Sequence, residues 1–291
     1  MINYQHCTLC PRACGVDRTA GERGFCGMSD KPMVAKAMIH VGEEPVIMGE
    51  KGTGAIFFSG CTLRCSYCQN HGISTGKVGV EAKDLRKTME QLIAQGAESI
   101  DLVTPTHFLP HVIEALQPKL PVPVVYNCGG YESAESLKAL EGLVDVYLPD
   151  LKYSNRELAK DLSMAGNYFE TAKAAILEMY RQTGPFQIEK GLIKKGVLIR
   201  HLVLPGNVDN SLGVLDWIGD TFREGEILVS LMSQYVPTGN QKPPMDRRVT
   251  EEEYDGVVSW MDFCGISQGF VQELSSATEE LLPTFDCDGV I

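Results

Sequence analysis

Three cysteines, Cys61, Cys65 and Cys68, stand in the string Phe57-Phe58-Ser59-Gly60-Cys61-Thr62-Leu63-Arg64-Cys65-Ser66-Tyr67-Cys68-Gln69-Asn70. The C-x-x-x-C-x-x-C spacing follows a short apolar run and a glycine, and an aromatic residue precedes the last cysteine. Three thiolates on one tight loop can hold three irons of a four-iron cluster and leave the fourth iron free for a substrate or cofactor. Ferredoxin loops with four cysteines close every iron. The competing chemistry is a zinc knuckle or a buried cysteine cluster, but zinc sites usually take four ligands and favour C-x2-C pairs.

With the apolar run, Gly60 and Tyr67 in place, the string resembles the cluster loop of the radical S-adenosylmethionine (SAM) enzymes. The resemblance implies that Cys61, Cys65 and Cys68 are the catalytic and metal-binding residues of a 4Fe-4S cluster, its open iron chelating the amino and carboxylate groups of SAM. It further implies that one electron cleaves the sulfonium, giving methionine and a 5′-deoxyadenosyl radical that abstracts a hydrogen atom. The cofactor carries the hard chemistry, and the protein supplies orientation and exclusion of water. An electron donor such as flavodoxin or ferredoxin is an implied partner.

The 291 residues suffice for one large domain, or a core with a small appendage. A net charge of −12 argues against a nucleic-acid partner held by counterion release. No stretch of about 18 apolar residues occurs, so no membrane span is expected. The first residues, Met1 to Cys7, do not read as an export segment. Ten cysteines in such a chain point to metals rather than disulfides, and an oxygen-sensitive cluster would place the protein in a reducing cytoplasm.

Positioning these thiols falls to six short apolar runs, about 54–59, 99–104, 122–127, 144–149, 197–204 and 226–232. Most are continuous in Val, Ile, Leu, Phe and Tyr, as parallel strands covered on both faces are. Helical patterns lie between them: Leu85, Met89, Leu92 and Ile93 share one face, as do Phe169, Ala172, Ile176, Met179 and Tyr180. The alternation predicts an α/β fold of parallel units. Six units over roughly 180 residues suit a partial (β/α)6 barrel, since a complete eight-unit barrel needs about 250. The expected division is a cysteine-rich segment 1–50, the barrel 51–235, and an extension 236–291 packing on the core. The extension carries the capping box Thr250-Glu251-Glu252-Glu253 ahead of a helix with Tyr254, Val257, Val258 and Met261 on one face.

Chemistry in parallel β/α barrels sits at the C-terminal strand ends. After the second run come Thr104-Pro105-Thr106-His107, where many radical SAM enzymes carry Gly-Gly-Glu against the methionine amino group. Thr104 and Thr106 are candidates to replace it, and His107 is either a proton donor or a helix cap. The third run ends in Asn127-Cys128-Gly129-Gly130, with Asn127 a candidate for a ribose hydroxyl and Cys128 either a substrate-facing thiol or a packed small side chain. The fourth ends in Asp150-Leu151-Lys152, whose charged residues share one face. This tripeptide is similar to the one in glycyl-radical-enzyme activases of the pyruvate formate-lyase type. That likeness implies Lys152 on the methionine carboxylate and Asp150 on the ribose or amino group. Arg200 in the fifth run is costly to bury unpaired and should face the lumen, with His201 pointing away. In the sixth, Gln234 stands near where the activases place a histidine against the adenosyl group. Tyr67, beside the last cluster cysteine, completes the set of candidate cofactor-binding residues.

Cys7, Cys10 and Cys14, with Cys26 beyond them, make a second thiol group at metal-like spacing, suited equally to zinc and to an auxiliary iron–sulfur cluster. This segment, together with Glu43-Glu44-Pro45, Cys61 to Asn70, Tyr126 to Tyr131, Asp145 to Lys152 and Arg200 to Gly206, is similar to the subgroup labelled pyruvate formate-lyase activating enzyme-related. Three functions follow as expectations: a radical enzyme acting on a small molecule or peptide, an activase acting on a glycyl radical enzyme, or a metal-binding regulator without catalysis. The cysteine segment is expected to cover part of the barrel opening, which favours the first.

Overall fold

The computed structural model describes residues 2–239, 241–276 and 283–291. Residue 240 and residues 277–282, within the predicted extension, lie outside the described residues, as does Met1. The strands are β1 (Met33–His40), β2 (Thr53–Phe58), β3 (Val80–Glu81), β4 (Ile100–Val103), β5 (Val124–Cys128), β6 (Val146–Pro149), β7 (Gln187–Glu189), β8 (Leu192–Leu202), β9 (Leu228–Met232) and β10 (Gly269–Val271). Between them run α1 (Pro45–Met48), α2 (His71–Ser74), α3 (Leu85–Ala94), α4 (Leu109–Ala115), α5 (Ala134–Leu137), α6 (Arg156–Ser163), α7 (Tyr168–Thr183), α8 (Val208–Thr221) and α9 (Glu251–Phe263).

The six apolar runs are the parallel strands β2, β4, β5, β6, β8 and β9, neighbours in that order. Every residue of β2, β5, β6 and β9 is buried, as strands covered on both faces require. The result is the partial barrel predicted. Helices pack on its outer face: Leu85, Met89 and Leu92 of α3, and Ala172, Ile176 and Met179 of α7, are buried there. Thr250 and Glu253 form the capping box of α9, which buries Tyr254, Val257 and Met261.

The flanks contribute strands that the sequence reading did not anticipate. β1 pairs antiparallel with β2, from Val34 opposite Phe58 to His40 opposite Thr53. Its Met-Val-Ala-Lys-Ala-Met-Ile-His string has no clean alternation, because Val34 and Ala35 are both buried and the register shifts between Val34 and Lys36. β10 adds a short parallel edge to β9. At Gly269 (φ +146°) any Cβ would lie 1.8 Å from the Val229 carbonyl oxygen, so only glycine lets this strand approach.

The chain leaves β1 at the N-terminal end of the barrel and drops α1 into it. Val46 and Ile47 join Val125, Val146, Leu148, Ile193, Leu198 and Leu228 in an apolar plug inside the lumen. This floor confines polar lumen residues to higher levels. Ile47→Ala should cost about 2–5 kcal/mol, the range for emptying a buried aliphatic site. The exposed Val41→Ala, one turn of chain away, should stay within about 0.5 kcal/mol. Equal effects in denaturant titrations would refute the plug.

Candidate active site

The loop after β2 turns at Gly60 (φ +84°), where a side chain would meet Met28 Cγ at 2.6 Å and the Cys26 carbonyl oxygen at 2.9 Å. It is tethered from far along the chain. Cys65 Sγ accepts a hydrogen bond from Ser163 Oγ (3.0 Å) at the end of α6, and the Ser66 N–H donates to the Leu162 carbonyl (2.8 Å). Arg12 donates to the Thr62 and Ser163 carbonyls, both at 2.9 Å, with its guanidinium 3.8 Å over the Phe25 ring. Burial pushes the Cys61 thiol up, and the Cys68 thiol up to about 12. A bound cation reverses that penalty, because it favours the thiolate.

The donor set fits a 4Fe-4S cluster by type and by spacing on one loop. Holding one requires the three side chains to turn toward a common centre. Among the described residues no three His, Cys, Asp or Glu side chains are gathered in metal-holding geometry.

Below the loop lies a cavity of about 340 Å³ within the lumen, lined by Cys65, Tyr67, Cys68, Asn127, Asp150, Lys152, Arg200 and Gln234 among others. Arg200 is its hub. Its Nε donates to Asp150 Oδ1 (3.0 Å), Nη1 to Glu43 Oε2 (3.1 Å), and Nη2 to Asn127 Oδ1 (2.6 Å). Lys152 Nζ holds the other Asp150 oxygen at 2.5 Å. Asn127 Nδ2 passes the network on to Asp101 Oδ2 (3.2 Å). Burial alone would raise the Asp150 carboxyl, yet Lys152 and Arg200 beside it hold it below the ordinary carboxylate value. Glu43 and Asp101 are pushed up by burial, Glu43 also by the charge of Asp101.

Asn127, Asp150, Lys152, Arg200, Gln234 and Tyr67 thus meet the cluster loop across one cavity, and His201 points away, bonded to the Leu151 carbonyl (2.6 Å) and Ser211 Oγ (2.9 Å). Thr104 and Thr106 do not line it. Thr104 adopts a left-handed backbone (φ 60°), rare for a β-branched residue, with its N–H on the Asn127 carbonyl (2.8 Å). Thr106 Oγ1 donates to buried Glu132 (2.8 Å). His107 lies buried behind the loop against the Ser59 carbonyl (2.6 Å), held neutral by burial that lowers it to about 3. Cys128 is buried and also off the cavity wall.

Of the cysteine-rich segment 1–50, residues His40, Gly42, Glu43, Glu44 and Pro45 line the cavity, and the four N-terminal cysteines do not. Among the described residues the cavity wall begins at His40. Cys7, Cys10, Cys14 and Cys26 instead lie behind the cluster loop, where Arg12 fastens them and buried Arg18 donates to the His107 carbonyl (2.6 Å). Arg12 reaches the loop itself at the Thr62 carbonyl, so the stretch bearing these cysteines backs the loop.

The sequence marked Glu43 and Glu44 only as part of the subgroup likeness, with no role in the site, and Asp101 not at all. Asp101 carried a signal, being the one charged residue of β4, two positions before the lumen-lining Val103.

Glu132 is raised to about 8, chiefly by burial, despite hydrogen bonds from Thr106 and Tyr126. Unfolded, it titrates near 4.5. The folded state therefore binds more proton between those values, and its stability is fullest at the acid end and declines as pH rises toward about 8. Glu132→Gln should flatten this decline in the denaturant midpoint. A slope that survives the substitution would assign it to another group.

The sequence matches the radical SAM superfamily over residues 55–218, more than half of the chain. An uncharacterized protein of Methanocaldococcus jannaschii is 31% identical over 268 residues, covering 87% of this chain and 73% of its own. Among solved structures, methylornithine synthase PylB is 14% identical over 78% of this chain and 75% of its own, with a TM-score of 0.49. The FeFe-hydrogenase maturase HydG is 16% identical over 73% and 49%, with a TM-score of 0.47. A cluster loop at the end of β2, a lumen network facing it, and a family match spanning both place this chain in the radical SAM superfamily.

Proposed function

We propose that Cys61, Cys65 and Cys68 hold the 4Fe-4S cluster that the family implies, and that SAM binds beneath it against Lys152, Asp150, Asn127 and Gln234. The observation that carries this reading is the single cavity shared by the cluster loop and the Asp150–Lys152–Arg200 network. When bound, cluster and SAM supply one-electron cleavage of the sulfonium and, from it, hydrogen-atom abstraction. The chain's part is to bind and orient. Lys152 is half-buried and positively charged, suited to a carboxylate, and Asp150 stays ionised to accept from hydroxyl or ammonium groups. The apolar floor under the network excludes water from that side. The substrate class is a small molecule or peptide, and a flavodoxin or ferredoxin is the reductant.

The second thiol group belongs to the same reading, as a zinc or auxiliary iron–sulfur site at Cys7, Cys10, Cys14 and Cys26. In support, the Phe25 N–H points at Cys14 Sγ (3.3 Å), and burial raises the thiols of Cys10, to about 12, and Cys26, a penalty that a bound cation removes. The activase reading, in which the substrate is a glycine on a partner's loop, gains from one observation: the four N-terminal cysteines stand off the cavity wall. The Asp150-Leu151-Lys152 tripeptide supports the pyruvate formate-lyase activating enzyme-related subgroup.

Anaerobically reconstituted protein with reductant and SAM should release 5′-deoxyadenosine. The Cys61→Ala, Cys65→Ala, Cys68→Ala triple variant should lose both that product and its iron. Lys152→Met should weaken SAM binding about tenfold or more, the scale of a charge-assisted hydrogen bond. A wild type that carries no more iron than the triple variant would sink the cluster assignment.

Metal counts also test the second site. Replacing Cys7, Cys10, Cys14 and Cys26 by alanine should remove zinc or iron beyond the first cluster's share. An unchanged total would sink it.

A further inference from the structure

The lumen network is unbalanced. Glu43, Glu44, Asp101 and Asp150 all act on Arg200, and Lys152 is the second cation beside Asp150. Arg200 spends its three donor directions on Asp150, Glu43 and Asn127, and Lys152 turns to Asp150. The Arg200 charge reaches Glu44, but neither cation donates a hydrogen bond to its Oε2. Its side chain is 92% buried on the cavity wall, and its Oε2 has no hydrogen-bond partner. Asp101, wholly buried behind Asn127, has an equally unpartnered Oδ1. Asn70 Oδ1 and Ser230 Oγ, on the same cavity wall, are unpartnered too.

Asn70 Oδ1 can only accept a hydrogen bond, and the Glu44 and Asp101 oxygens do so whenever they are ionised. Buried acceptors left empty cost free energy, and buried carboxylates without a counter-charge cost more. A neutral ligand or water satisfies the acceptors but leaves the charge excess standing. A ligand that donates several N–H bonds and brings positive charge answers both.

We infer that the substrate handled in this cavity carries an alkylammonium group, seated at Glu44 with Asp101 behind it. The inference deepens the radical SAM reading and rests on it for the reaction, though not for the binding. Burial already forces Asp101 and Glu43 toward the protonated form. An arriving ammonium replaces those protons as the counter-charge. The position also separates the two ligands. The SAM-facing charges, Asp150 and Lys152, stand at the end of β6, whereas Glu44 precedes α1 at the opposite, plugged end.

Ligand-observed NMR on the reconstituted full-length holoenzyme, with and without SAM, tests this. The probes are n-pentylammonium and the neutral n-pentanol. Pentylammonium should bind at least tenfold more tightly than pentanol, and SAM should not displace it. Glu44→Gln should erase most of the difference, and Glu44→Asp should keep part of it. Equal binding of the two probes overturns the inference. Displacement of pentylammonium by SAM also overturns it, because the carboxylates then serve SAM's own amino group. So does displacement by magnesium, which would assign the site to a divalent cation. Should Glu44→Gln fail to fold, the wild-type comparison decides alone. Absence of 5′-deoxyadenosine with pentylammonium still bound would fell the radical reading and leave the ammonium site.

Discussion

The half-buried guanidinium of Arg200 is the interaction on which the rest of the lumen depends. A charge taken out of water loses several kcal/mol of hydration unless its partners are already in place. Here they come from three separate parts of the chain, Glu43 before α1, Asn127 on β5 and Asp150 just after β6, and meet Arg200 on β8. Each is useless without the others, so the barrel wall must close in register for the network to exist. Asp150 and Arg200 are also joined through the backbone as a parallel bridge, which carries the β6–β8 register up to the level of the cavity.

The lumen is graded from one end to the other. An aliphatic plug closes the N-terminal end, a layer of charged and amide groups lies above it, and thiols and a buried tyrosine hang over the top. Low-dielectric material beneath the charges strengthens every interaction made above it. The same gradient makes the charge imbalance consequential, since no bulk water lies on the floor side to dilute it. Tyr67 is held in turn by the Tyr153 hydroxyl (2.8 Å), which also bonds Ser163, so the roof is fixed through the helix that tethers Cys65.

Much of this was legible in the chain itself. The six apolar runs became the six central strands because buried parallel strands leave an uninterrupted hydrophobic signature. Asp150, Lys152 and Arg200 stood out because charge at the end of, or inside, such a run needs a partner. The site roles of Glu43 and Glu44, and the wall formed by β1, were hidden for the opposite reason: their segment is held by pairing with β2 and by a distant arginine, and local periodicity carries no trace of either. Thr104 and Thr106 were read from position alone. The left-handed turn at Thr104 carries the chain away from the lumen and takes Thr106 to Glu132. The course of the cysteine segment likewise depends on Arg12 and Arg18 reaching carbonyls far along the chain, which spacing does not encode.

The tethering of the loop bears on when it can acquire iron. Its sulfur at Cys65, its amide at Ser66 and its carbonyl at Thr62 are all positioned by groups at residues 162–163 or by an arginine that itself needs Ser163. Contacts of such sequence separation form late, after the intervening strands have paired. During synthesis the loop emerges roughly a hundred residues before its supports do, as three loose thiols on a flexible strand end. Iron delivered at that stage would meet an unshaped chelator, open to zinc and to oxygen. Were this loop to hold the proposed cluster, the barrel would have to assemble first and receive its metal as a finished vessel.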